Sequence, residues 1–377
     1  MDAGIPHRAL IAISDLLDNC AKIQEGQNVL ILAYRDGLYG GDNLIDEHVV
    51  SWLETCVKMR GAKAYVLWAD ERSIYHKWEF PKLIRGAFEA SDVMINNTFD
   101  LVFEEIVEFK QFIWEKKKLM IRNFAVTKGL LMTDWALTPH ELVSEIRYRS
   151  CIPIQEGLPF VITDKNGTHL EGIIDAAYHP NHPWFTSYTV RREEVGYYRP
   201  WPEWVVPPIR LKNVNGVLVF DRMLSWWTRV MGVSPYLKEP ITVTVKDSKM
   251  VKIEGGEEAK KLSAFFQYLS KFLGDKTYDF NCFHFGVHPN AKVDLHTCPH
   301  ILYHRIIDHS HTSNIHFHLG APPPTDEYPY WVHCTGDIRD ATLKIGDTLI
   351  YENGRLLVLD DPYIKKVAEK YPDRPTL

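Results

Sequence analysis

The first 150 residues alternate short apolar runs with segments that carry apolar side chains at helical spacing, and this rhythm constrains the fold most strongly. The runs have the length and continuity of buried strands; they are NVLILAY, AKAYVLWAD, DVMINN and KLMIRNF. Strands that alternate with helices form a parallel sheet covered by helices. The sequence therefore predicts an α/β, Rossmann-like domain over residues 1–150. No GxGxxG motif follows the first run, which argues against a dinucleotide site.

Residues 151–377 show a different pattern, in which strand-like segments are separated by Gly, Pro and polar turns. KDSK at 246–249 and ENGR at 352–355 each lie between two apolar runs, as in β-hairpins. One amphipathic helix is predicted over 257–273. We therefore expect a second domain, over 151–377, that is α+β and mainly antiparallel.

The composition excludes several classes of partner. The net charge is −6 with no basic block, so no nucleic-acid surface is indicated. No apolar run has the length of a membrane span, and the N-terminal residues lack a signal-peptide pattern. Six scattered cysteines without a CxxC motif suit reduced thiols. We expect a cytoplasmic protein that binds neither nucleic acid nor membrane.

Histidines are concentrated in one stretch, with ten of the seventeen between His284 and His333. Three occur in strand-like apolar contexts, namely His284 in NCFHFGV, His316 in NIHFHLG and His333 in YWVHCTGD. His318 shares its strand parity with His316 and is expected on the same face. Together with one carboxylate, three such imidazoles would form a metal site open to water or substrate. The alternative is a set of hydrogen-bonded core histidines.

The middle of the stretch gives a weaker signal. Its histidines are expected to lie mostly on the surface, because one group is interrupted by Pro299 and the others occur in polar, turn-like sequence. These residues are His288, His296, His300, His304, His309 and His311.

The order of several motifs resembles one superfamily. It contains thermophilic metallo-aminopeptidases, similar to aminopeptidase T, and the 2,5-dihydroxypyridine 5,6-dioxygenases of nicotinate breakdown. The similarity covers about 195–357, and its motifs are PEWVVPP, NGVLVFD, KEPITVTVKDSKMVKIEGGEEAKKL, FHFGVHPNA, NIHFHLG and VHCTGDIRDATL. It implies an aminopeptidase-like fold and a metal-dependent enzyme.

The resemblance carries over to individual positions. Glu203, five residues before Pro208, matches a metal-binding Glu of the aminopeptidases. His284 matches an iron-binding His of the dioxygenases, His316 an aminopeptidase His ligand, and His333 a His ligand of both branches. The resemblance therefore implies the ligand set Glu203, His284, His316 and His333.

Two positions depart from the relatives. Both branches have a ligating Asp where this chain has Thr335, and Asp337 would replace it only after a change of register. The dioxygenases also have an active-site His where this chain has Pro200. The candidate catalytic residues are thus Asp337, His318 and Thr335, the first two because they flank predicted ligands. The candidate substrate-binding residues are His179, His182, Arg191 and Tyr198.

This ligand set suits one divalent ion, Mn or Fe(II), with Zn as a further possibility. The sequence favours a mononuclear metal-dependent hydrolase, in which a metal-activated water opens a small cyclic or aromatic carbonyl compound. The alternative is an Fe(II) ring-cleaving dioxygenase, and the third possibility is a metallo-aminopeptidase. Aromatic residues at 179–188 and 197–201 favour a cyclic substrate over a peptide. A homo-oligomer is also expected.

Overall fold

The first of two sheets is parallel and has the strand order β2-β1-β3-β4-β7. The computed structural model describes residues 4–35, 45–70, 82–97, 107–176, 198–223, 228, 231–280, 282–298, 300–320 and 334–377. The strands of the parallel sheet are β1 (Asn28–Arg35), β2 (Lys63–Asp70), β3 (Val93–Asn97), β4 (Leu119–Asn123) and β7 (Tyr198–Trp201).

Both faces of this sheet are covered, which explains why its strands are apolar throughout. Val29 and Ile31 of β1 belong to one hydrophobic cluster with the first two helices, whereas Leu30 and Leu32 belong to another. The helices of the N-terminal part are α1 (His7–Ser14), α2 (Glu47–Met59), α3 (Lys82–Glu89), α4 (Val107–Lys116), α5 (Lys128–Leu131), α6 (Asp134–Leu137) and α7 (His140–Cys151). A π-helical turn, Asp15–Cys20, continues α1.

The fifth strand of the parallel sheet, β7, comes from residues well beyond 150. It pairs with β4, so that Tyr198 lies opposite Met120 and Trp201 opposite Asn123. The chain therefore returns to the first sheet before it builds the long strand β8, and the residues that follow β7 connect the two sheets.

Among the described residues, the second sheet has eleven strands, and all their pairings are antiparallel. Its main order is β11-β12-β13-β8-β6-β5-β14-β15-β16, while β9 pairs with β8 and β10 with β9. The strands are β5 (Pro159–Thr163), β6 (His169–Ala176), β8 (Ile209–Arg222), β9 (Tyr236–Lys246), β10 (Lys249–Glu254), β11 (Cys282–Phe285), β12 (Ile315–Leu319), β13 (Cys334–Ile338), β14 (Thr342–Ile345), β15 (Thr348–Glu352) and β16 (Arg355–Leu356).

The two predicted hairpins are present. Asp247 and Ser248 have φ values of 48° and 60°, and Asn353 and Gly354 have 49° and 83°, as a tight two-residue turn requires. The remaining helices are α8 (Glu257–Leu273), α9 (Ile301–His309) and α10 (Pro362–Ala368). The predicted fold class, a parallel α/β part followed by a mainly antiparallel part, is confirmed. Within the described residues, no helix is long and apolar enough to cross a membrane.

Candidate metal centre

A row of polar side chains crosses the end of the antiparallel sheet on strands β11, β12 and β13. The register places His284 opposite His316 and His316 opposite Asp337, with His318 opposite Thr335 in the next row. Because alternate residues of a strand face opposite sides, all five lie on one face of the sheet. Phe283 and Phe317 occupy the other face and pack in the core, with 5.9 Å between their ring centroids. The sequence parity of His316 and His318 thus gave the correct face.

Three imidazoles of this face converge. The Nε2 atoms of His284 and His318 are 2.8 Å apart, and the ring centroids of His284 and His316 are 3.6 Å apart. One nitrogen from each of His284, His316 and His318 lies within 4.8 Å of the others. All three side chains are buried, so a cation between them would exchange water for nitrogen donors. We call these three residues the imidazole set.

The backbone orients the first member of this set. The Nδ1–H of His284 donates to the carbonyl oxygen of Val206, at 3.1 Å. With its proton on Nδ1, the ring presents a lone pair at Nε2, on the side of His318. The segment that supplies this carbonyl follows β7 and runs beside β11, where the amide of Val206 donates to Phe285. A connection between the two sheets therefore fixes the orientation of His284.

The donor chemistry of the imidazole set fits a divalent metal. Imidazole binds a metal only in its neutral form. Burial lowers the pKa of His318 to about 3, so this ring is neutral at pH 7. Neutral nitrogen ligands suit Fe and Zn alike.

A second group of possible ligands shares His316 and adds His309 and Asp337, again within 4.8 Å. Its carboxylate is already surrounded by donors. Oδ2 of Asp337 accepts from Arg305, from Nδ1 of His309 at 2.9 Å and from Asn314 at 3.1 Å. Oδ1 accepts from the Thr335 hydroxyl at 2.6 Å. We interpret Asp337 as a hydrogen-bonded support and call Arg305, His309 and Asp337 the ion-paired set.

Charge compensation dominates the ion-paired set. Burial by itself raises the pKa of Asp337, but Arg305, His309 and the Thr335 hydroxyl hold it well below its usual range. Burial also lowers the pKa of His309, and Asp337 only partly offsets this. The ring of His309 lies 3.5 Å from that of His316, centroid to centroid. The ion-paired set thus fixes a neutral imidazole against the imidazole set.

Glu203, the carboxylate ligand implied by the resemblance, is buried but has another partner. Its Oε2 lies 3.7 Å from Nε of the buried Arg147, and its Oε1 accepts from the amide of Trp204 at 3.3 Å. Among the described residues, Glu203 belongs to neither group of potential ligands.

Of the five other predicted site residues, four are not described by the structure and one is buried elsewhere. His333, His179, His182 and Arg191 lie outside the described residues. Tyr198 is buried in the hydrophobic cluster of the parallel sheet, with the strand residues Met94 and Met120.

Several histidines expected at the surface are buried, and this part of the sequence interpretation is wrong. His288, His309 and His311 are 0%, 2% and 8% exposed. His304 is half-buried, and its ring nitrogens contact the Tyr236 hydroxyl at 2.6 Å and the Val293 carbonyl at 2.9 Å. His296 alone is clearly exposed in this group.

The error has a physical cause. A proline interrupts a helix only from within it, and α9 begins at Ile301, after Pro299. Arg305 and His309 are four residues apart and so share the helix face that covers the polar row. That spacing was visible in the sequence and could have revealed both residues.

No protein-family model matches this chain, and no curated protein matches it. Among solved structures, the chain is similar to 2,5-dihydroxypyridine dioxygenase from Pseudomonas putida KT2440. The TM-score is 0.64 at 16% sequence identity, and the alignment covers 93% of this chain and 98% of that one. The likeness shows that the two chains share a fold over nearly their whole length.

Proposed function

We propose that this protein is a metal-dependent enzyme of aromatic-compound catabolism that cleaves a small hydroxylated ring with dioxygen. The observation that carries the proposal is the convergence of three buried imidazoles on one point. His284, His316 and His318 would hold the metal, which we take to be iron(II). The similarity in fold to a 2,5-dihydroxypyridine dioxygenase supports this choice.

Iron(II), when bound, would bind dioxygen and mediate the transfer of electrons to it from the electron-rich ring, which is the net reductant. The residues of this chain would orient the ligands and exclude water. The Val206 carbonyl keeps the His284 lone pair directed at the site. Asp337, itself neutralised by Arg305, holds His309 through Nδ1, which leaves Nε2 of His309 free of that bond. The burial of the three ligands excludes bulk water.

The oxygen-dependent alternative is therefore favoured over the hydrolytic reading of the sequence. The hydrolytic hypothesis depends on Glu203 as a peptidase-like ligand, and Glu203 instead faces Arg147. One observation keeps hydrolysis as the second candidate, because three imidazoles without a carboxylate also form hydrolytic zinc sites. Aminopeptidase activity, the third possibility, remains a sequence prediction.

Oxygen uptake distinguishes the two candidates. The protein would be loaded anaerobically with Fe(II) and mixed with 2,5-dihydroxypyridine or with hydroxybenzoates in an oxygen electrode. We expect consumption of about one O₂ per ring cleaved. Turnover without oxygen by the Zn or Mn form would support the hydrolase instead. A protein that retains no metal under either condition would contradict both candidates.

A further inference from the structure

The carboxyl ends of β3 and β4 carry four fully buried polar side chains. They are Asn96, Asn97, Arg122 and Asn123, and the preceding residues of both strands are apolar. Ligands of parallel α/β sheets bind beyond the carboxyl ends of the strands, where the chain order reverses. Here the order reverses at β1, with β2 on one side and β3 on the other. Asn96 and Asn97 on β3 therefore border the point of reversal, and Arg122 and Asn123 lie one strand further from it.

Two of these residues have a structural role. Asn97 donates to the Leu32 carbonyl at 3.1 Å and accepts from the Asn123 amide at 2.8 Å. Asn123 in turn accepts from the backbone amide of Ala125 at 2.9 Å. Their hydrogen bonds tie β1, β3 and β4 together, and no ligand is needed to explain them.

Asn96 is different. It is 0% exposed, and neither its Nδ2 nor its Oδ1 has a hydrogen-bond partner in the part of the chain that the structure describes. Buried amides are nearly always hydrogen-bonded, because their desolvation is otherwise uncompensated. The register places Asn96 between Leu32 and Arg122, so its side chain and the Arg122 side chain are lateral neighbours on one face.

A line of rings leads from Arg122 to the imidazole set. Cζ of Arg122 lies 4.5 Å from the centroid of Phe124, whose ring is 4.9 Å from Trp204. Trp204 is 6.2 Å from His309, which contacts His316. The Tyr303 hydroxyl of α9 donates to the Phe124 carbonyl at 2.6 Å and so fixes this line to the helix that covers the metal centre. Aromatic side chains such as Phe124 and Trp204 pack well against a flat ligand ring.

We propose that Asn96 and Arg122 bind a carboxylate of the substrate, and that the substrate ring packs along Phe124 and Trp204. The inference rests on the proposed function and narrows its substrate class to aromatic carboxylates. The planar guanidinium of arginine matches a carboxylate geometrically, and the Asn96 amide adds a further N–H donor. The unpartnered amide and the aromatic line are explained together by this one ligand.

Binding of benzoate and benzamide tests the proposal without relying on turnover. Calorimetry on the iron-loaded protein under anaerobic conditions should show tighter binding of benzoate than of benzamide. We expect Asn96→Leu to weaken benzoate binding by about tenfold or more and benzamide binding by less, because a hydrogen bond to a carboxylate is stronger than one to a neutral carbonyl. Arg122→Lys keeps the charge but loses the planar fork, and it should weaken benzoate binding as well.

Asn97→Leu is the matched control. It removes bonds to Leu32 and Asn123 and should lower the melting temperature while keeping the preference for benzoate. Asn96→Leu should leave the melting temperature unchanged or raise it, because the substitution removes no hydrogen bond among the described residues. Unchanged benzoate affinity in Asn96→Leu would show that the amide holds water alone and would overturn the proposal, as would equal wild-type affinity for benzoate and benzamide.

His316→Ala separates this inference from the proposed reaction. If the anion site is independent of the metal, the variant loses oxygen uptake but keeps the benzoate preference. Loss of that preference would mean that the metal binds the benzoate, and the proposal would be wrong. Conversely, if no ring supports oxygen uptake in the wild type while benzoate binding still requires Asn96 and Arg122, the proposed reaction fails and the anion site stands.

Discussion

The imidazole set and the ion-paired set lie side by side on one face of the sheet, and they differ in how the burial of their polar groups is compensated. His284, His316 and His318 are buried imidazoles that offer nitrogen donors to a cation. Arg305 and Asp337 are buried as charges, and each carboxylate oxygen already has its donors. This difference shows that a carboxylate close to a metal centre is not thereby a ligand, because its oxygens must also be available to bind the metal.

The largest expected effect comes from removing a ligand. Loss of a residue that only hydrogen-bonds to a metal ligand typically reduces metal affinity by about 10–100-fold. His316→Ala removes a ligand itself, so it should reduce metal affinity by more than this, and oxygen uptake should be lost as well. The measurement is the metal content of the purified protein by elemental analysis. His296→Ala is the control, because His296 is an exposed residue of the same histidine-rich stretch. If both variants retain equal metal, the imidazole set is not the metal site.

Breaking the ion-paired set should affect folding first. Asp337→Ala leaves Arg305 buried without its carboxylate and should lower the free energy of unfolding by about 3–5 kcal/mol. Adding Arg305→Met should restore much of that loss, since the uncompensated charge is then gone. Urea denaturation of the wild type, the single variant and the double variant measures the effect. A double variant no more stable than the single one would contradict the charge-pair account.

The acid response separates neutral from charged burial. Burial, together with the neighbouring His311, lowers the pKa of His288 to about 3. The unfolded chain binds this proton near pH 6.5, so the stability that His288 contributes is complete above about pH 6.5 and falls as the pH drops. The slope is at most about 1.4 kcal/mol per pH unit for this group.

Denaturation midpoints measured between pH 7 and pH 4 test the acid response. As the pH falls, the His288→Phe variant should lose stability less steeply than the wild type. The difference between the two slopes of unfolding free energy against pH should correspond to about one bound proton. Equal slopes would show that His288 is protonated in the folded protein. Asp337 responds in the same direction but at lower pH: its depressed pKa keeps it charged in this range, and its contribution is lost only as the pH falls below the ordinary carboxyl range.

The smallest expected effect on metal binding is at Glu203. Glu203→Gln should leave the metal content unchanged, because the carboxylate pairs with Arg147 and lies outside both groups of potential ligands. It should lower the free energy of unfolding by about 1–3 kcal/mol, since the buried Arg147 loses a charged partner. Loss of metal from this variant would restore Glu203 as a ligand, as the aminopeptidase resemblance implies.

The sequence predicted local structure well and spatial partners less well. Apolar runs and turn residues predicted the fold class, because burial and backbone conformation depend on neighbouring residues. The strand contexts of His284 and His316 were interpreted correctly for the same reason. The partner of Glu203 lies on α7, over fifty residues away in sequence, and no local pattern encodes that ion pair. The burial of His309 depends on α9, whose helical spacing begins only after Pro299.

The most direct test of the central claim is a crystal structure of the Fe(II)-loaded protein with anomalous data collected at the iron edge. The imidazole set predicts one peak, about 2 Å from a ring nitrogen of each of His284, His316 and His318, with Arg305 still paired to Asp337. A peak bound to the Asp337 carboxylate, with Arg305 displaced, would contradict the account.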